Sequence, residues 1–366
     1  MLRAAAVALG LAIVMAACSG KPPSTATATP SPTREAGTYA VTALLDFSGT
    51  RGPRGDAQRS AMQQWVDAQR ASPRVKLRIV DVAASDAKLI LELKRASDAG
   101  DTDAFIVGVP AVIDDALLRA IALTARPILF TLPIAEPAGD AARWMFGLAP
   151  TPDAIARALV DALPTRTTPG IIVTNGTPAS GREELAISAV FRADGRPLPF
   201  VMSAAPDQRE TFAQRFKPFA STASAVFFTG GTASYLEPQR VVPAADATTN
   251  VQVFLSYLTD PGEASRLGDA ASIARWPGLR RPTGSTLGTH AATATDAIAL
   301  LAATGDAAGD AERSRQRIEG GTFPGIATTY TFTSLRHTGV DPREITMVAW
   351  ENGRVVAARP IAAPTR

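Results

Sequence analysis

Tyr39-Ala-Val-Thr-Ala-Leu-Leu-Asp46 is an apolar run with β-branched members that breaks at Ser48-Gly49, and the segment from Asp56 to Arg70 then places Met62, Trp65 and Val66 at helical spacing. Strand followed by helix is the repeating unit. Val75-Lys-Leu-Arg-Ile-Val80 predicts a half-exposed strand, Ala87 to Ala99 a helix and Ala104-Phe-Ile-Val107 a buried strand. Ile113 to Ala125 predicts another helix and Ile128-Leu-Phe130 the next strand. Short, continuous apolar strands separated by amphipathic helices imply a parallel sheet covered on both faces.

After Trp144-Met-Phe-Gly-Leu148 the alternation restarts. Helices are expected over Asp153 to Leu163, Arg182 to Arg192 and Arg209 to Phe219, and through Tyr235 and Val241. Strands are expected at Gly170-Ile-Ile-Val173, around Phe200-Val201, at Ala225-Val-Phe-Phe228 and at Val251-Gln-Val-Phe-Leu255. From Thr259 to Gly288 the pattern lapses into Pro, Gly and Arg, which predicts loop with short helical turns. Helices return from His290 to Thr304 and from Ala311 to Glu319, and strands at Ala327–Phe332 and Ile345–Trp350 finish the chain. The expected class is α/β, with two doubly wound parallel-sheet lobes.

Composition agrees with a globular body of two lobes. Of 366 residues 46% are hydrophobic and 19% charged, and a net charge of +3 is spread without a basic stripe interleaved with aromatics. Nucleic acid is therefore excluded as an expected partner. The body is preceded by Arg3, an apolar stretch from Ala4, and Met15-Ala16-Ala17-Cys18, which holds the only cysteine. The stretch is too short for a stable membrane span and has the form of a secretory signal. Its last four residues resemble a bacterial lipobox, which implies lipidation of Cys18; an ordinary signal peptide with a chance cysteine is the alternative. Ser19 to Ala36 carries Pro22, Pro23, Pro30 and Pro32 among small polar residues, the composition of a tether. As a flexible coil it would hold the body on the order of 25 Å from the lipid. The division is a signal peptide over 1–18 and a tether over 19–37.

The body's motifs carry a family resemblance through their order and spacing. They are Leu44-Leu45-Asp46-Phe47-Ser48-Gly49 followed by Gly55 and Trp65-Val66-Asp67, then Asp81 with Asp86, Asp103-Ala-Phe-Ile-Val-Gly108 and Pro127-Ile-Leu-Phe-Thr131. Asp296-Ala-Ile-Ala-Leu-Leu301 follows, then Phe323-Pro-Gly325, Arg336-His337-Thr-Gly339 and Trp350-Glu-Asn-Gly353. The chain resembles the type I periplasmic solute-binding proteins, in the branch of branched-chain amino acid and amide receptors of ABC importers. The resemblance implies three passages between lobes, near Pro150, Thr283 and Gly325. It gives an N-terminal lobe of 38–150 plus 284–325 and a C-terminal lobe of 151–283 plus 326–366. It further implies a small-molecule ligand held between the lobes, an ABC permease as partner, and an exported, membrane-anchored lipoprotein facing the periplasm or cell exterior. No cofactor, metal or chemistry of its own is implied. A ligand-sensing or structural lipoprotein that kept the fold without transport is the alternative.

The resemblance also marks candidate ligand contacts. In amino-acid-binding relatives the loop after the third strand supplies hydroxyls and NH groups to the α-carboxylate; here it reads Gly108-Val109-Pro110-Ala111, and proline has no NH to donate. The next loop, Thr131-Leu-Pro-Ile134-Ala135-Glu136, puts Ala135 where relatives place a threonine, and Glu136 is the one carboxylate expected near the cleft unless it is a solvated loop charge. Relatives use an aromatic near Ser180, another near Gly231 and an acidic residue near Tyr257; none stands at those places, although Tyr235 and Tyr257 are close. Ser48, Gly49 and Thr232 complete the candidate set, with Trp276 either at the cleft mouth or packed in its loop. These departures predict an apolar or aromatic solute, its single polar group met by Ser48, Thr131 or Ser180. Gly49 to Gly55 with Arg51 or Arg54 reads as an anion cradle or an ordinary turn. Ser85-Asp-Ala-Lys88 matches a Ser-x-x-Lys pair but reads better as a helix start. His290 and His337 lack partners at metal-ligand spacing.

Overall fold

A computed structural model of the chain describes residues 38–48, 52–69, 74–83, 85–163, 170–204, 209–220, 223, 225–231, 252–259, 261–265, 274–281 and 288–359. Cys18 with its leader and tether, Gly49, Arg51, Thr232, and the helix expected through Tyr235 and Val241 lie outside the described residues.

The first alternation runs β1 (Thr38–Leu45), α1 (Gly52–Ala68), β2 (Arg74–Asp81), α2 (Asp86–Ala99), β3 (Ala104–Gly108), α3 (Asp115–Thr124), β4 (Ile128–Phe130) and β5 (Met145–Gly147). Its strands form one parallel sheet in the order β2-β1-β3-β4-β5. Strand side chains alternate between faces, and the apolar runs split accordingly. Val41, Ala43, Leu45, Ile106, Leu129 and Phe146 enter one buried cluster. Leu44, Phe105, Val107, Ile128, Phe130 and Met145 enter the other, beneath Leu89, Leu93, Leu117 and Ile121 of α2 and α3. Burial on both faces is why these strands read as continuous apolar runs, each large side chain contributing roughly 1.5–3 kcal/mol. The Ser85 hydroxyl accepts the Lys88 N–H at 3.3 Å, so the Ser-x-x-Lys pair is a helix cap.

The second alternation runs α4 (Pro152–Asp161), β6 (Gly170–Thr174), α5 (Pro178–Ala193), β7 (Phe200–Ser203), α6 (Arg209–Ala220), β8 (Ala225–Phe228), β9 (Gln252–Leu255), α7 (Pro261–Ala264) and β10 (Ala274–Leu279). It is followed by α8 (Thr289–Ala303), α9 (Ala311–Glu319), a small hairpin of β11 (Thr322–Pro324) and β12 (Thr329–Thr331), then β13 (Ile345–Glu351) and β14 (Arg354–Ala357). The second sheet has the order β14-β13-β10-β9-β8-β6-β7, parallel from β7 to β10 and antiparallel at β13 and β14. Its strands again divide between two clusters: Ile171, Val173, Val226, Phe228, Val253 and Leu255 on one face, Ile172, Phe227 and Phe254 on the other.

Two expectations are corrected. The 259–288 segment contains β10, whose Trp276 and Leu279 are buried although Arg275, Pro277 and Gly278 disguise the run. Pro277 is tolerated because pairing with β9 ends at Arg275, before the missing N–H would interrupt that ladder, and only β13 continues alongside. The last passage between sheets comes later than Gly325. Ala327, Tyr330, Phe332 and Val340 still pack in the first sheet's core, and Phe332 meets Phe146 edge-on at 5.6 Å. The Gly147 N–H donates to His337 O at 2.8 Å, and the Gly339 N–H to Gly147 O at 2.9 Å. The chain reaches the second sheet only at Ile345. Burying Tyr330 and Phe332 beside α8 outweighs leaving early, since both aromatics would otherwise lose their core.

Candidate functional site

The parallel strands of both sheets point their carboxyl ends toward one cleft, the general place for a ligand in open α/β sheets. Pro110 follows β3, Leu132 and Pro133 follow β4, and Leu258 follows β9; Pro152 and Ile155 come from the start of α4. The wall is completed by Ala179, Arg182 and Glu183 in the first turns of α5. These residues line an open cleft of about 380 Å³ counted out into solvent.

On the first-sheet side the loops are held by Gln58 of α1, fully buried. Its Nε2 donates to Gly108 O at 3.1 Å, and its Oε1 accepts from the Thr131 hydroxyl at 2.6 Å. Gly108 is required for this approach, because a Cβ there would stand 2.5 Å from Gln58 Oε1 and from Leu45 Cδ2. Thr131 is thus spent on the scaffold and shows nothing to the cleft.

Across the cleft, α5 starts four residues earlier than expected. Thr177 caps it, its hydroxyl accepting the Ser180 N–H at 3.2 Å, and Pro178 occupies the first turn where its missing N–H costs nothing. Ser180 is buried, hydrogen-bonded to Thr229 Oγ1 at 2.6 Å and accepting the Asn175 N–H at 3.1 Å. Like Thr131 it has no exposed surface for a solute. Gly230, at φ +81°, packs where a Cβ would lie 2.8 Å from Asn175 Nδ2 and Ser180 Cβ.

Glu183 ties the second-sheet loops together. Its Oε2 accepts the Gly230 N–H at 2.9 Å and its Oε1 the Ser256 hydroxyl at 2.6 Å, while Ser256 Oγ also accepts the Leu258 N–H at 3.0 Å. Although the carboxyl borders the cleft, protein surrounds it, and burial pushes its pKa up to about 7 against the opposing pull of Ser256, Gly230, Arg182 and Arg54. Arg54 of α1 reaches over the cleft: its Nη1 donates to Leu258 O at 3.1 Å, and the residue is 2% exposed. Arg54 is thus a cation buried against the second sheet's loops, whereas residues 49–51 of the expected cradle or turn lie outside the described residues. Beside Leu258, Tyr257 is buried edge-on to His290 at 5.6 Å. Burial raises the phenol's pKa, and burial followed by the Arg54 charge lowers the imidazole's to about 3.

Of the candidates read from sequence that fall among the described residues, Pro110 alone lines the cleft. Val109 and Ile134 are core of the first sheet. Ala135 and Ser48 are exposed, Ser48 hydrogen-bonded to Asp81. Gly231, at φ +90°, adjoins Leu258 and Arg54 at the cleft's edge. Glu136 is absent from the described cleft lining and is no free loop charge: it clasps the returning chain, accepting the N–H groups of His337 and Thr338 and the Thr338 hydroxyl. Trp276 is 3% exposed in the second sheet's core, not at the cleft mouth. The residues missed were Leu132, Pro133, Pro152, Ile155, Ala179, Leu258 and above all the Arg182–Glu183 pair. The signal for that pair was Thr177-Pro178, a cap and first-turn proline that place residues 182 and 183 in the second turn of a helix facing the strand ends.

No protein-family model matches the chain, and no curated protein matches it. Solved structures do. An extracellular ligand-binding receptor from Rhodopseudomonas palustris superposes with a TM-score of 0.74 at 14% identity, over 87% of this chain and 99% of the receptor. An ABC-transporter solute-binding protein from the same organism, in complex with benzoate, superposes at 0.68 with 17% identity, over 88% and 95%. A branched-chain amino acid ABC-transporter protein from Thermus thermophilus with bound valine superposes at 0.73 with 14% identity, over 88% and 96%. Likeness at this identity concerns the fold: the chain has the fold of the type I periplasmic binding proteins.

Proposed function

We propose that this chain, built on the type I periplasmic-binding-protein fold, is an exported solute-binding protein that delivers a small apolar or aromatic solute to an ABC importer. The supporting observation is the cleft at the carboxyl ends of two parallel sheets, walled chiefly by Pro110, Leu132, Pro133, Ile155, Ala179 and Leu258. The sheets act as two lobes, joined by the passages after Gly147, Leu279 and Val340, that close over the solute and present a changed surface to the permease. The protein performs no chemistry on what it carries. Lipidation at Cys18 anchors it, with residues 19–37 as the tether.

The apolar wall argues against a free amino acid. An ammonium would need an unoccupied carboxylate, and Glu183 already holds two donors. The experiment is native mass spectrometry of the purified body for retained solute, with small-angle scattering before and after its removal. A retained small apolar molecule and a particle that expands on its removal are expected. An unchanged scattering curve with no solute retained or rebound refutes the reading.

A further inference from the structure

Arg182 sits in the second turn of α5 at the wall of the proposed cleft, half-buried among apolar neighbours. Among the described residues it makes no hydrogen bond or ion pair. Two carboxylates act on it through charge, and both are engaged elsewhere. Asp86 opens α2 and accepts the Val112 N–H at 3.4 Å, and Glu183 holds Gly230 and Ser256. Burial lowers the guanidinium's pKa, the mark of a cation that has lost water without gaining a matched partner. A guanidinium presents five donors in a planar fork suited to a carboxylate.

We propose, resting on the solute-binding reading, that Arg182 receives the carboxylate of the solute, which assigns the ligand class as monocarboxylic acids with an apolar or aromatic body. One carboxylate is what the wall accommodates. Among the described residues that line the cleft Arg182 is the only cation, and Arg54 above it is tied to Leu258 O, so a second anionic group on the solute would be buried against Leu132, Ile155 and Leu258 without a free counter-charge. An α-ammonium is disfavoured as well, because Glu183 is occupied and Arg54 stands near it. Bidentate pairing fixes the acid end at α5 and leaves the body among the prolines and leucines after β3 and β4.

The test is titration calorimetry at pH 7 on the mature chain, with benzoate, phenylacetate and hexanoate each beside its own amide. In the wild type at least one acid binds roughly ten- to a hundredfold tighter than its amide, the range for hydrogen bonds to charged groups. Arg182→Met abolishes that preference by lowering the affinity for the acid, and a wild-type circular dichroism spectrum and melting temperature show that the variant is folded. Arg182→Lys keeps part of the preference, having charge without the fork. Equal binding of acid and amide in the wild type, or a preference that survives in Arg182→Met, overturns the carboxylate assignment and leaves the solute-binding reading standing. Micromolar affinity for valine likewise overturns it. Failure of every acid to bind overturns it too, and the retained-solute experiment then judges the broader reading separately.

Discussion

Glu183→Gln should make the protein more stable at pH 8 than the wild type and remove part of its pH dependence. The carboxyl holds two donors, and its pKa rises from the usual 4.5 to about 7 because burial outweighs the neighbouring donors and cations. A group whose folded pKa lies above its unfolded value keeps its proton longer in the native state. Stability is therefore greatest below about pH 4.5 and falls as pH rises through 7. At about 1.4 kcal/mol per pH unit, the gap from 4.5 to about 7 amounts to about 3 kcal/mol once both states are ionised. Glutamine can still accept the Gly230 N–H and can donate to Ser256 Oγ, so it replaces the ionisable group without emptying the site. The assay is chemical or thermal unfolding of both proteins from pH 4.5 to 8.5, read as variant minus wild type. That difference should grow by about 3 kcal/mol toward alkaline pH, on the order of 5 °C in melting temperature. A flat difference would show that the carboxyl titrates normally and is not ringed by protein. A difference of opposite sign would mean that Arg182 and Arg54 stabilise its charge more than burial opposes it.

Three further outcomes are expected. Arg54→Met should lower stability by about 2 kcal/mol through loss of the buried donor to Leu258 O, and should enlarge the ligand-free particle in scattering; unchanged size would deny it a role in holding the two sides together. His290→Leu should relieve acid sensitivity. With a native pKa near 3 against the usual 6.5, the imidazole's stabilising contribution is complete above pH 6.5 and is lost as pH falls, by about 3 kcal/mol between pH 7 and 4.5. The variant's unfolding free energy, measured against the wild type's, should therefore gain about that much over the same interval, and parallel curves would contradict it. Cys18→Ala should leave an uncleaved precursor or release soluble protein on cell fractionation, whereas unchanged maturation and membrane partition would remove the anchor.

The fold was legible because its signal is redundant. Each central strand is buried on both faces, so Ala104–Val107, Ile128–Phe130, Gly170–Val173 and Ala225–Phe228 announce themselves by hydrophobicity alone, and the sheets follow from alternation with helices. Legibility failed where burial and composition part. Arg275, Pro277 and Gly278 conceal β10, whose pairing is set by β9 and β13 rather than by its own propensity. The last passage was misplaced for a related reason: Phe323-Pro-Gly325 looks like an exit, yet Tyr330 and Phe332 beyond it still belong to the first core.

The cleft was harder to read than the fold because hydroxyls and carboxylates are ambiguous until their partners are known. Thr131 and Ser180 were promising as ligand donors, but they satisfy Gln58 and Thr229 instead, and those partners lie 73 and 49 residues away. Glu136 and Glu183 illustrate the same limit from opposite directions. The first sits in the expected ligand loop and clasps a segment 201 residues onward; the second sits on a helix and governs two loops of the cleft. Buried polar groups must find partners, and in a chain that passes repeatedly between two sheets those partners are set by topology rather than by spacing. Arg182 differs in kind. Among the described residues that line the cleft it makes no hydrogen bond, whereas Glu183 beside it is matched by Gly230 and Ser256.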